Sequence, residues 1–496
     1  MANHQSVSGR GAFKKILIAN RGAIAARVVR ACRELGIKSV VVYTSVDAMA
    51  PYVANADEAY PLTGLRPNDS YLDQDQLMSI AELSRADAVH PGYGFLSENV
   101  VFAQRVIDAG MHFIGPAPTW LDRMGDKVNA RRLMAQQGMP TFAGSDLITD
   151  VNSAREAAQR IGFPLVVKPS GGGGGMGMQV VEHMGDLEAA LAQAQAVADA
   201  AFANGGLYLE RWIAKPRHIE YQILADEHGN AMHLYERECS VQRRHQKLIE
   251  ESPAPGIDAK VLREQAQRGA DICAQLGYNN LGTMETLYSD GDSGFLEMNT
   301  RIQVEHGVTE EVTGIDLVQQ QILLSAGADL PAQPSAMKGH AIEVRLYAED
   351  AQTLMPSTGM LRSFDMPKLF GVRVETGYQQ GQEVSPYYDA LLAKIIATGS
   401  TREQAIGRVV VALQAFTIEG VRTNAALLLR VLRSPDFLQG NIDTGMVERM
   451  LRQGSRIPAP VRSQGRGGGR GERGEAGDWR REAREARGRR RRLLRA

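Results

Sequence analysis

The chain has 496 residues, which is too long for one ordinary domain and predicts about three. Its hydrophobic content of 44% and charged content of 23% are typical of a globular protein rather than a disordered or fibrous one. Residues 455–496 contain 14 Arg and 5 Asp or Glu, so residues 1–454 carry a net charge of −10 although the whole chain carries −1. An acidic body of this kind argues against a nucleic-acid-binding core.

The cysteines and the start of the chain indicate the compartment. Cys32, Cys239 and Cys273 are far apart and form neither a metal-binding spacing nor a disulfide framework, which favours a reducing cytoplasm. No apolar run reaches the roughly 18 residues that a membrane-spanning helix needs. Residues 1–13 lack the hydrophobic segment of a secretory signal and are interpreted as a disordered leader. The sequence therefore predicts a cytoplasmic protein with no membrane partner.

Residues 14–44 predict a strand, a helix and a second strand. The first strand covers residues 16–19, a turn follows at Arg21-Gly22, and apolar residues then recur at helical spacing up to Gly36. The second strand covers residues 39–44. This is the parallel unit of doubly wound nucleotide-binding domains. Because G-x-G-x-x-G is absent, we assign no dinucleotide to it and interpret it as a scaffold.

Residues 86–116 repeat the pattern. A strand ends at His90, a tight loop covers residues 91–94, and a helix is predicted from Ser97 with Glu98 in its first turn. A glycine-rich loop at the carboxyl end of a strand is a common ligand site in such sheets. The loop is equally well explained as a simple turn, so both interpretations stay open.

Residues 140–212 predict a small separate subdomain. A helix over residues 154–161 precedes two strands, 163–168 and 178–181, joined by a run of seven residues with six glycines from Gly171. It is not a G-x-x-x-x-G-K-[ST] loop, because no such lysine opens a helix after it. A run of this kind costs conformational entropy but offers backbone N–H groups that can close over phosphates. Lys168, just before it, could neutralise a phosphate.

The next segment combines cations and carboxylates. Arg243, Arg244, His245 and Lys247 are predicted to share one loop within residues 236–251, and in an acidic body this favours an anion site over a solvated surface. An amphipathic helix covers residues 258–277, and strands at 283–288 and 294–299 pair. The pairing brings carboxylates together without a salt-bridge partner, which indicates a cation, Mg²⁺ rather than zinc. These candidate ligands are Glu285, Glu297 and Asn299.

Residues 297–306 carry a polar side chain at every odd position, with Met298, Ile302 and Val304 among the residues between them. Read as one strand, they place a polar series on one face at a spacing that suits a metal and substrate oxygens. The series is Glu297, Asn299, Arg301, Gln303 and Glu305. The solvent-facing side of an antiparallel strand alternates in the same way, so this pattern alone does not decide between the two.

The last third predicts more strands and helices. Residues 338–349 alternate and place Glu343, Arg345 and Tyr347 on one face, residues 371–396 hold two strands, and helices cover 401–416 and 424–432. Order is predicted to end near Leu451. Residues 452–496 are Arg- and Gly-rich and predict a disordered tail, which either binds RNA or is an incidental end.

These motifs together resemble the biotin carboxylase family over residues 14–450. The matching segments are ANRGAIAARVVRACRELGI, HPGYGFLSEN, MGDKVNAR, KPSGGGGGMGM, PRHIEYQILAD, SVQRRHQK and EMNTRIQVEH. The resemblance implies an α/β (α+β) ATP-grasp fold with a doubly wound N-terminal domain (14–125), an ATP-grasp domain (126–335) carrying the mobile lid 140–212, and a C-terminal domain (336–451). It implies ATP- and bicarbonate-dependent carboxylation of biotin through carboxyphosphate.

The same resemblance implies the site residues and the cofactors, which are ATP, Mg²⁺ or Mn²⁺, bicarbonate and carrier-bound biotin. The nucleotide residues would be Lys127, Lys168, Gly173, Gly174, Glu210, Arg211, Ile213, His218, Gln242 and His245. The metal ligands would be Glu285, Glu297 and Asn299, and bicarbonate would lie on Arg301, Gln303, the Val304 backbone and Glu305. Glu305 would be the base, and Arg345 would stabilise the biotin enolate, with Lys247 facing the phosphates.

The resemblance also implies partners, and the sequence differs from the usual family residues at four positions. Arg30, Glu34 and Phe370 match a dimer contact and imply a homodimer. Ala336-Met337-Lys338-Gly339 imitates the carrier motif but leads directly into a strand, so we interpret it as a coincidence. The biotin carrier and the carboxyltransferase would be on other chains, or the carrier would be on a C-terminal part outside this sequence. Departures from the usual residues are Met176 for Arg, Arg211 for Lys, Gly307 for Pro and Ala23 for Glu. Rival interpretations are another ATP-grasp ligase and an RNA-binding protein that uses the tail.

Overall fold

A computed structural model of the chain describes residues 13–170, 175–201 and 206–454. The chain divides into two units, Met1–Met450 and Leu451–Ala496, and all the sheets below belong to the first. The glycine run at 171–174, the predicted leader up to residue 12 and the tail from residue 455 lie outside the described residues. In the part that is described, no helix is both long enough and apolar enough to cross a bilayer.

The N-terminal part is a five-stranded parallel sheet with helices on its faces. Its order is β3-β2-β1-β4-β5, which confirms the predicted parallel strand–helix–strand unit. The apolar stripe of the first helix packs into the core through Ile24, Val28 and Cys32. The strands are β1 (Lys15–Ile18), β2 (Lys38–Tyr43), β3 (Glu58–Pro61), β4 (Ala88–His90) and β5 (His112–Phe113). The helices are α1 (Gly22–Glu34), α2 (Pro51–Asn55), α3 (Gln74–Ser84), α4 (Val100–Asp108), α5 (Pro118–Gly125) and α6 (Lys127–Gln136).

The helix after β4 begins later than predicted. It starts at Val100 rather than Ser97, because the Asn99 side chain accepts a hydrogen bond from the Phe102 amide at 2.8 Å and caps the first turn. Glu98 therefore precedes the helix and is free to reach another part of the fold.

A small antiparallel sheet follows, in the order β7-β6-β8. Its strands are β6 (Leu165–Pro169), β7 (Gln179–Val181) and β8 (Leu207–Arg211), and its helices are α7 (Val151–Ile161) and α8 (Leu187–Ala201). β6 and β7 pair antiparallel, which confirms the predicted hairpin around the glycine run. The core beneath this lid sheet is built largely from alanines and leucines of α7 and α8.

The largest sheet has eight antiparallel strands in the order β13-β12-β9-β10-β11-β14-β19-β17. The remaining strands are β9 (Arg217–Ala225), β10 (Ala231–Arg243), β11 (Gln246–Ser252), β12 (Asn280–Ser289), β13 (Asp292–Asn299), β14 (His340–Tyr347), β15 (Gly359–Met360), β16 (Ser363–Asp365), β17 (Val372–Thr376), β18 (Glu383–Val384), β19 (Leu391–Gly399) and β20 (Thr417–Glu419). The remaining helices are α9 (Ala259–Leu276), α10 (His306–Thr313), α11 (Leu317–Ser325), α12 (Arg402–Ala415), α13 (Ala425–Leu432), α14 (Pro435–Gln439) and α15 (Met446–Gly454).

Three predicted segments differ from the structure. The cationic stretch is not one loop: Arg243 and Lys247 lie on β10 and β11, and only two residues with positive φ turn the hairpin between these strands. The alternating stretch 297–306 is not one strand. β13 ends at Asn299, and the chain then turns into α10 at His306. The last helix runs to Gly454, three residues past the predicted end of order.

Candidate active site

One cavity of about 510 Å³ lies where the lid sheet faces the eight-stranded sheet. Gly173 and Gly174 lie outside the described residues, but all the other site residues expected from the sequence line this cavity. They are Lys127, Lys168, Glu210, Arg211, Ile213, His218, Gln242, His245, Lys247, Glu285, Glu297, Asn299, Arg301, Gln303, Val304, Glu305 and Arg345. Residues spread over more than 200 positions of the sequence thus meet at one place.

The lining is more cationic than the protein as a whole. Among the described lining residues there are seven Lys or Arg and four Glu, whereas residues 1–454 are acidic overall. A cleft with an excess of cations attracts and holds polyanions. Apolar side chains, among them Ile213, Leu287 and Phe295, complete the lining. The cavity therefore suits a ligand with a flat apolar part and a strongly anionic part.

The lid contributes Lys168 and Glu210 from adjacent strands. Val166 of β6 is the register partner of Glu210 on β8, and the Lys168 ammonium forms an ion pair with the Glu210 carboxylate. The end of the glycine run approaches the β10–β11 turn closely, since a Cβ on Gly175 would lie 2.5 Å from the His245 ring. A side chain at this position would force the lid away from the large sheet.

Glu285 and Glu297 face each other as predicted. They are register partners on β12 and β13, and the Asn299 side-chain amide donates to Glu285 at 2.9 Å. The prediction that Glu285 and Glu297 lack salt-bridge partners is wrong, however. Lys247 lies 3.0 Å from Glu285, and Lys127 lies 2.9 Å from Glu297. Three oxygen-donor side chains still converge here, and carboxylate and amide oxygens are the ligands that Mg²⁺ prefers.

Lys247 is the cation that joins the carboxylates at the centre of the site. Its Nζ lies 2.6 Å from Glu220, 2.6 Å from Glu305 and 3.0 Å from Glu285. Burial alone would lower the pKa of Lys247, but these three carboxylates raise it well above its ordinary value. Lys247 therefore stays charged, and an anionic ligand can compete for it.

Glu305 is buried between two cations. One carboxylate oxygen lies 2.6 Å from Lys247 and the other accepts from Arg345 at 3.0 Å. Burial would raise the pKa of Glu305, yet these cations and Arg237 hold it well below its usual range. Arg345 also donates to Glu250 at 2.6 Å, so its guanidinium is fixed between two carboxylates.

Arg301 connects the site to the N-terminal sheet. Its Nε donates to Glu98 at 3.0 Å and its Nη2 donates to Asn299 at 2.8 Å. The glycine-rich loop before Glu98 is held in place by Asn20, which donates to the Pro91 carbonyl at 2.7 Å. In the described part of the chain this loop does not line the cavity, which favours its interpretation as a turn.

Several residues that hold the site in place were not predicted from the sequence. Arg237, fully buried on β10, donates to Glu220, Gln222 and Gln303. Lys394 on β19 donates to the Val304 carbonyl at 2.5 Å. The polar network around Arg237 could have been found from the sequence of β9. There His218, Glu220 and Gln222 occupy every second position, although the strand is buried on both faces.

Comparison with known proteins agrees with this architecture. Residues 12–121, 126–333 and 343–449 match the family models for the biotin carboxylase N-terminal domain, the carbamoyl-phosphate synthase L chain ATP-binding domain and the biotin carboxylase C-terminal domain. The parallel sheet, the lid sheet and the cationic cavity thus define an ATP-grasp protein. Within that class, the chain belongs to the biotin carboxylase family.

Individual relatives are similar over nearly their whole length. The chain is 48% identical to the biotin carboxylase of Allochromatium vinosum over 88% of this chain and 99% of that protein. It is 43% identical to one subunit of the pyruvate carboxylase of Methanothermobacter thermautotrophicus, over 89% and 90%. The biotin carboxylase domain dimer of Hydrogenobacter thermophilus 2-oxoglutarate carboxylase, solved with MgADP, ADP and bicarbonate, superposes with a TM-score of 0.86 at 41% identity, over 88% and 98%.

Proposed function

We propose that the protein is an ATP-dependent biotin carboxylase, which uses bicarbonate to carboxylate biotin on a carrier protein. The observation that carries this proposal is the position of Glu305. A buried carboxylate, fixed by Lys247 and Arg345, shares one cationic cavity with the oxygen-donor set of Glu285 and Glu297. A base, cations and metal ligands in one enclosed site are the requirements of phosphoryl transfer to an oxyanion.

The nucleotide would occupy the part of the cavity under the lid. Lys168 and Lys127 would meet its phosphates as point charges, and the glycine run would close over them with backbone N–H groups. The apolar wall near Leu287 and Phe295 suits the adenine ring. His218, Glu210, Arg211, Ile213, Gln242 and His245 would contact the rest of the nucleotide.

Mg²⁺ or Mn²⁺ would be held by Glu285, Glu297 and Asn299, whose oxygens fit a hard cation. When bound, such an ion neutralises phosphate oxygens. The ammonium groups of Lys127 and Lys247, which now pair with the two carboxylates, would be released toward the phosphates. The same lysines thus serve both the ligand-free and the loaded site.

In the first chemical step, Glu305 would take the proton of bicarbonate while Arg301, Gln303 and the Val304 backbone hold that anion. A bicarbonate oxygen then attacks the γ-phosphorus, the bond to ADP breaks and carboxyphosphate forms. The low pKa of Glu305 keeps it ionised, and anionic ligands that draw Lys247 and Arg345 away would raise its basicity.

In the second step, carboxyphosphate breaks down to CO₂ and phosphate. The released phosphate takes the proton of the biotin ureido nitrogen, and this nitrogen forms a bond to CO₂. Arg345 would stabilise the negative oxygen of the biotin enolate, since its guanidinium is already oriented by Glu250 and Glu305. Positioning and charge neutralisation supply the catalysis, and the enzyme itself forms no covalent bond.

The test is ADP release by purified protein with Mg-ATP, measured with and without bicarbonate and free biotin. We expect release that requires both. Release that needs bicarbonate but not biotin would indicate another ATP-grasp ligase, and release that needs neither would indicate a simple ATPase. Either of these results would contradict the proposal.

We propose that the carboxyl group passes to an acyl-CoA of the acetyl or propionyl type, through a carrier and a carboxyltransferase on other chains. The alternative acceptors are pyruvate and 2-oxoglutarate, after which two of the relatives are named. Reconstitution with carrier and transferase components of each kind would decide, because only the correct pair should yield a carboxylated acceptor.

We also propose a cytoplasmic homodimer. Phe370 supports the dimer because it is 89% exposed, unusual for a large apolar side chain, and lies beside the Arg408 guanidinium. Arg30 and Glu34 project from α1, where Arg30 lies 3.2 Å from Glu375. Cys32, Cys239 and Cys273 are buried free thiols, as expected in a reducing compartment. Light scattering would measure the mass directly.

A further inference from the structure

The turn between β13 and α10 is held by two buried side chains that approach its backbone carbonyls. The Gln303 carbonyl accepts from His306 Nδ1 at 2.7 Å, and the Val304 carbonyl accepts from Lys394 Nζ at 2.5 Å. These two bonds leave little freedom in residues 303–305, which are the residues that present the proposed base. The first bond is local, whereas the second comes from a strand 90 positions away in the sequence.

Lys394 is placed for this contact by the sheet. On β19 it is the register partner of both Arg345 on β14 and Glu375 on β17, and its side chain is only 1% exposed. Its Nζ lies 2.8 Å from Glu375 and 3.5 Å from Glu343. The ammonium therefore donates hydrogen bonds to the Val304 carbonyl and to Glu343, and Glu375 balances its charge as an ion pair.

A purely structural ion pair does not explain this arrangement. Burying an ammonium group is costly unless it is paired, and Glu375 already has cations beside it in Arg373 and Arg27. Glu343 is also paired with Lys394, at 3.5 Å, but neither ion pair accounts for the third contact of the ammonium, to the Val304 carbonyl at 2.5 Å. A peptide unit is planar, so fixing the Val304 carbonyl also fixes the Glu305 N–H and the direction of the backbone at Glu305.

We infer that Lys394 is a positioning residue for the bicarbonate site: its ammonium fixes the Val304–Glu305 peptide and thereby aims the Glu305 carboxylate into the cavity. This inference rests on the proposed function, since it assigns Lys394 a part in the same step. Lys394 does not line the cavity, so its effect passes through the turn and not through contact with the substrate. It predicts an effect on bicarbonate and not on the nucleotide.

The test is Lys394→Met, which keeps the length of the side chain and removes its donors. We expect kcat/KM for bicarbonate to fall about tenfold, because an error of about 1 Å in a positioned group has large effects on rate. The KM for ATP should change less than twofold, since Lys127 and Lys168 are untouched. This split between the two substrates would not result from a general loss of stability.

The matched control is Arg402→Met. Arg402 pairs with buried Glu251, at 2.7 Å, on the same large sheet, but neither residue lines the cavity. This variant should lose stability and keep the wild-type kinetics for bicarbonate. Equal losses for ATP and bicarbonate in Lys394→Met, or bicarbonate kinetics that match those of the control, would overturn the inference.

Two further measurements distinguish the role of Lys394 from a folding defect and from a failure of the proposed function. If Lys394→Met does not fold, the double variant Lys394→Met with Glu343→Gln also removes the carboxylate for which Lys394 is the only ion-pair partner among the described residues, and the same split is expected from it. The wild-type protein, assayed in parallel for dependence on bicarbonate and biotin, tests the function itself. Wild-type dependence together with an unaltered folded variant would remove the role of Lys394 and leave the function standing.

Discussion

At the scale of single residues, the proposed function depends most on Glu305, the proposed general base. Its two oxygens each face one cation, so replacing the carboxylate by an isosteric amide removes a base while keeping the shape of the turn. We expect Glu305→Gln to lower kcat by about 100-fold to 10,000-fold, the usual range for a lost general base. The measurement is ADP release at saturating ATP, bicarbonate and biotin.

The control for that variant is Glu236→Gln. Glu236 is as buried as Glu305, but it does not line the cavity. Burial raises the pKa of Glu236, whereas the cations around Glu305 lower the pKa of that carboxyl. A neutral amide should therefore be tolerated there with near-normal turnover. Comparable losses in the two variants would show that any buried carboxylate matters equally, and would remove the special role of Glu305.

Met176 is the departure from the family pattern with a direct test. Its side chain is 56% exposed and lines the cavity beside the glycine run, where an arginine is usual in the family. Met176→Arg adds one positive charge near the expected phosphates, so we expect KM for ATP to fall several-fold with kcat little changed. Met176→Leu, which adds no charge, should leave KM for ATP unaltered, and an unchanged KM in the arginine variant would exclude a phosphate contact.

Residue identity was predictable from the sequence to a large extent, whereas the supporting contacts were not. Glu285 and Glu297 could be paired because one hairpin joins their strands, and the register confirmed it. Lys394 and Val304 are 90 positions apart, and nothing in the alternation of β19 indicates which backbone carbonyl its lysine reaches. Contacts set by the order of strands in a sheet require the fold itself.

At the scale of elements, the boundary of β13 shows how local chemistry overrides periodicity. Alternation of polar and apolar residues continues to Glu305, yet the strand ends at Asn299, although its partner β12 extends further, to Asn280. Beyond Asn299 the Thr300 amide donates to Glu98 at 3.2 Å instead of to β12. The polar residues nevertheless all reach the cavity, since the turn between β13 and α10 directs Arg301, Gln303 and Glu305 there. Periodicity predicted the correct group of residues through an incorrect element.

The pairing of β11 with β14 places two buried carboxylates opposite each other. Glu250 and Glu343 are register partners, and each has one oxygen, Oε2 and Oε1 respectively, without a hydrogen-bond partner among the described residues. Burial raises the pKa of Glu250 to about 7 and that of Glu343 to about 8, and Arg345 and Lys394 oppose this. The charge of Glu305 adds to the shift of Glu250, and the charge of Glu250 adds to that of Glu343.

The sign of the resulting pH dependence follows from linkage. Near neutral pH the folded protein holds a proton on this pair that the unfolded chain releases, so the free energy of unfolding falls as pH rises from about 4.5 toward about 8. We expect Glu343→Gln to remove part of that slope, about 1 kcal/mol per pH unit between pH 6 and 8. Urea unfolding across this range measures it.

Glu251→Gln is the comparison for that experiment. Glu251 follows Glu250 on β11, but His340 and Arg402 hold its pKa below its usual value despite burial. Its loss should lower stability without altering the slope between pH 6 and 8. A wild-type slope retained in Glu343→Gln would show that Glu343 is ionised throughout this range.

At the scale of the whole molecule, the sheets and the cavity lining belong to the unit Met1–Met450. The family models also end at residue 449. A protein that stops after Gly454, which keeps the whole of α15, should therefore retain kcat and both KM values within twofold of the full chain. Melting temperature and ADP release check this. A large loss of either would show that residues beyond 454 stabilise or complete the site.

The same truncation tests whether the tail has a function of its own. Removing residues 455–496 takes away a net charge of +9 and leaves a body of −10, so the truncated protein should elute later from an anion exchanger. Any association of the full chain with RNA should depend steeply on salt and vanish near 0.15 M ionic strength, about the physiological value, because an arginine-rich segment with one aromatic residue, Trp479, offers little beyond a screened electrostatic attraction. RNA binding that persists at that ionic strength and is lost on truncation would instead assign the tail a nucleic-acid partner.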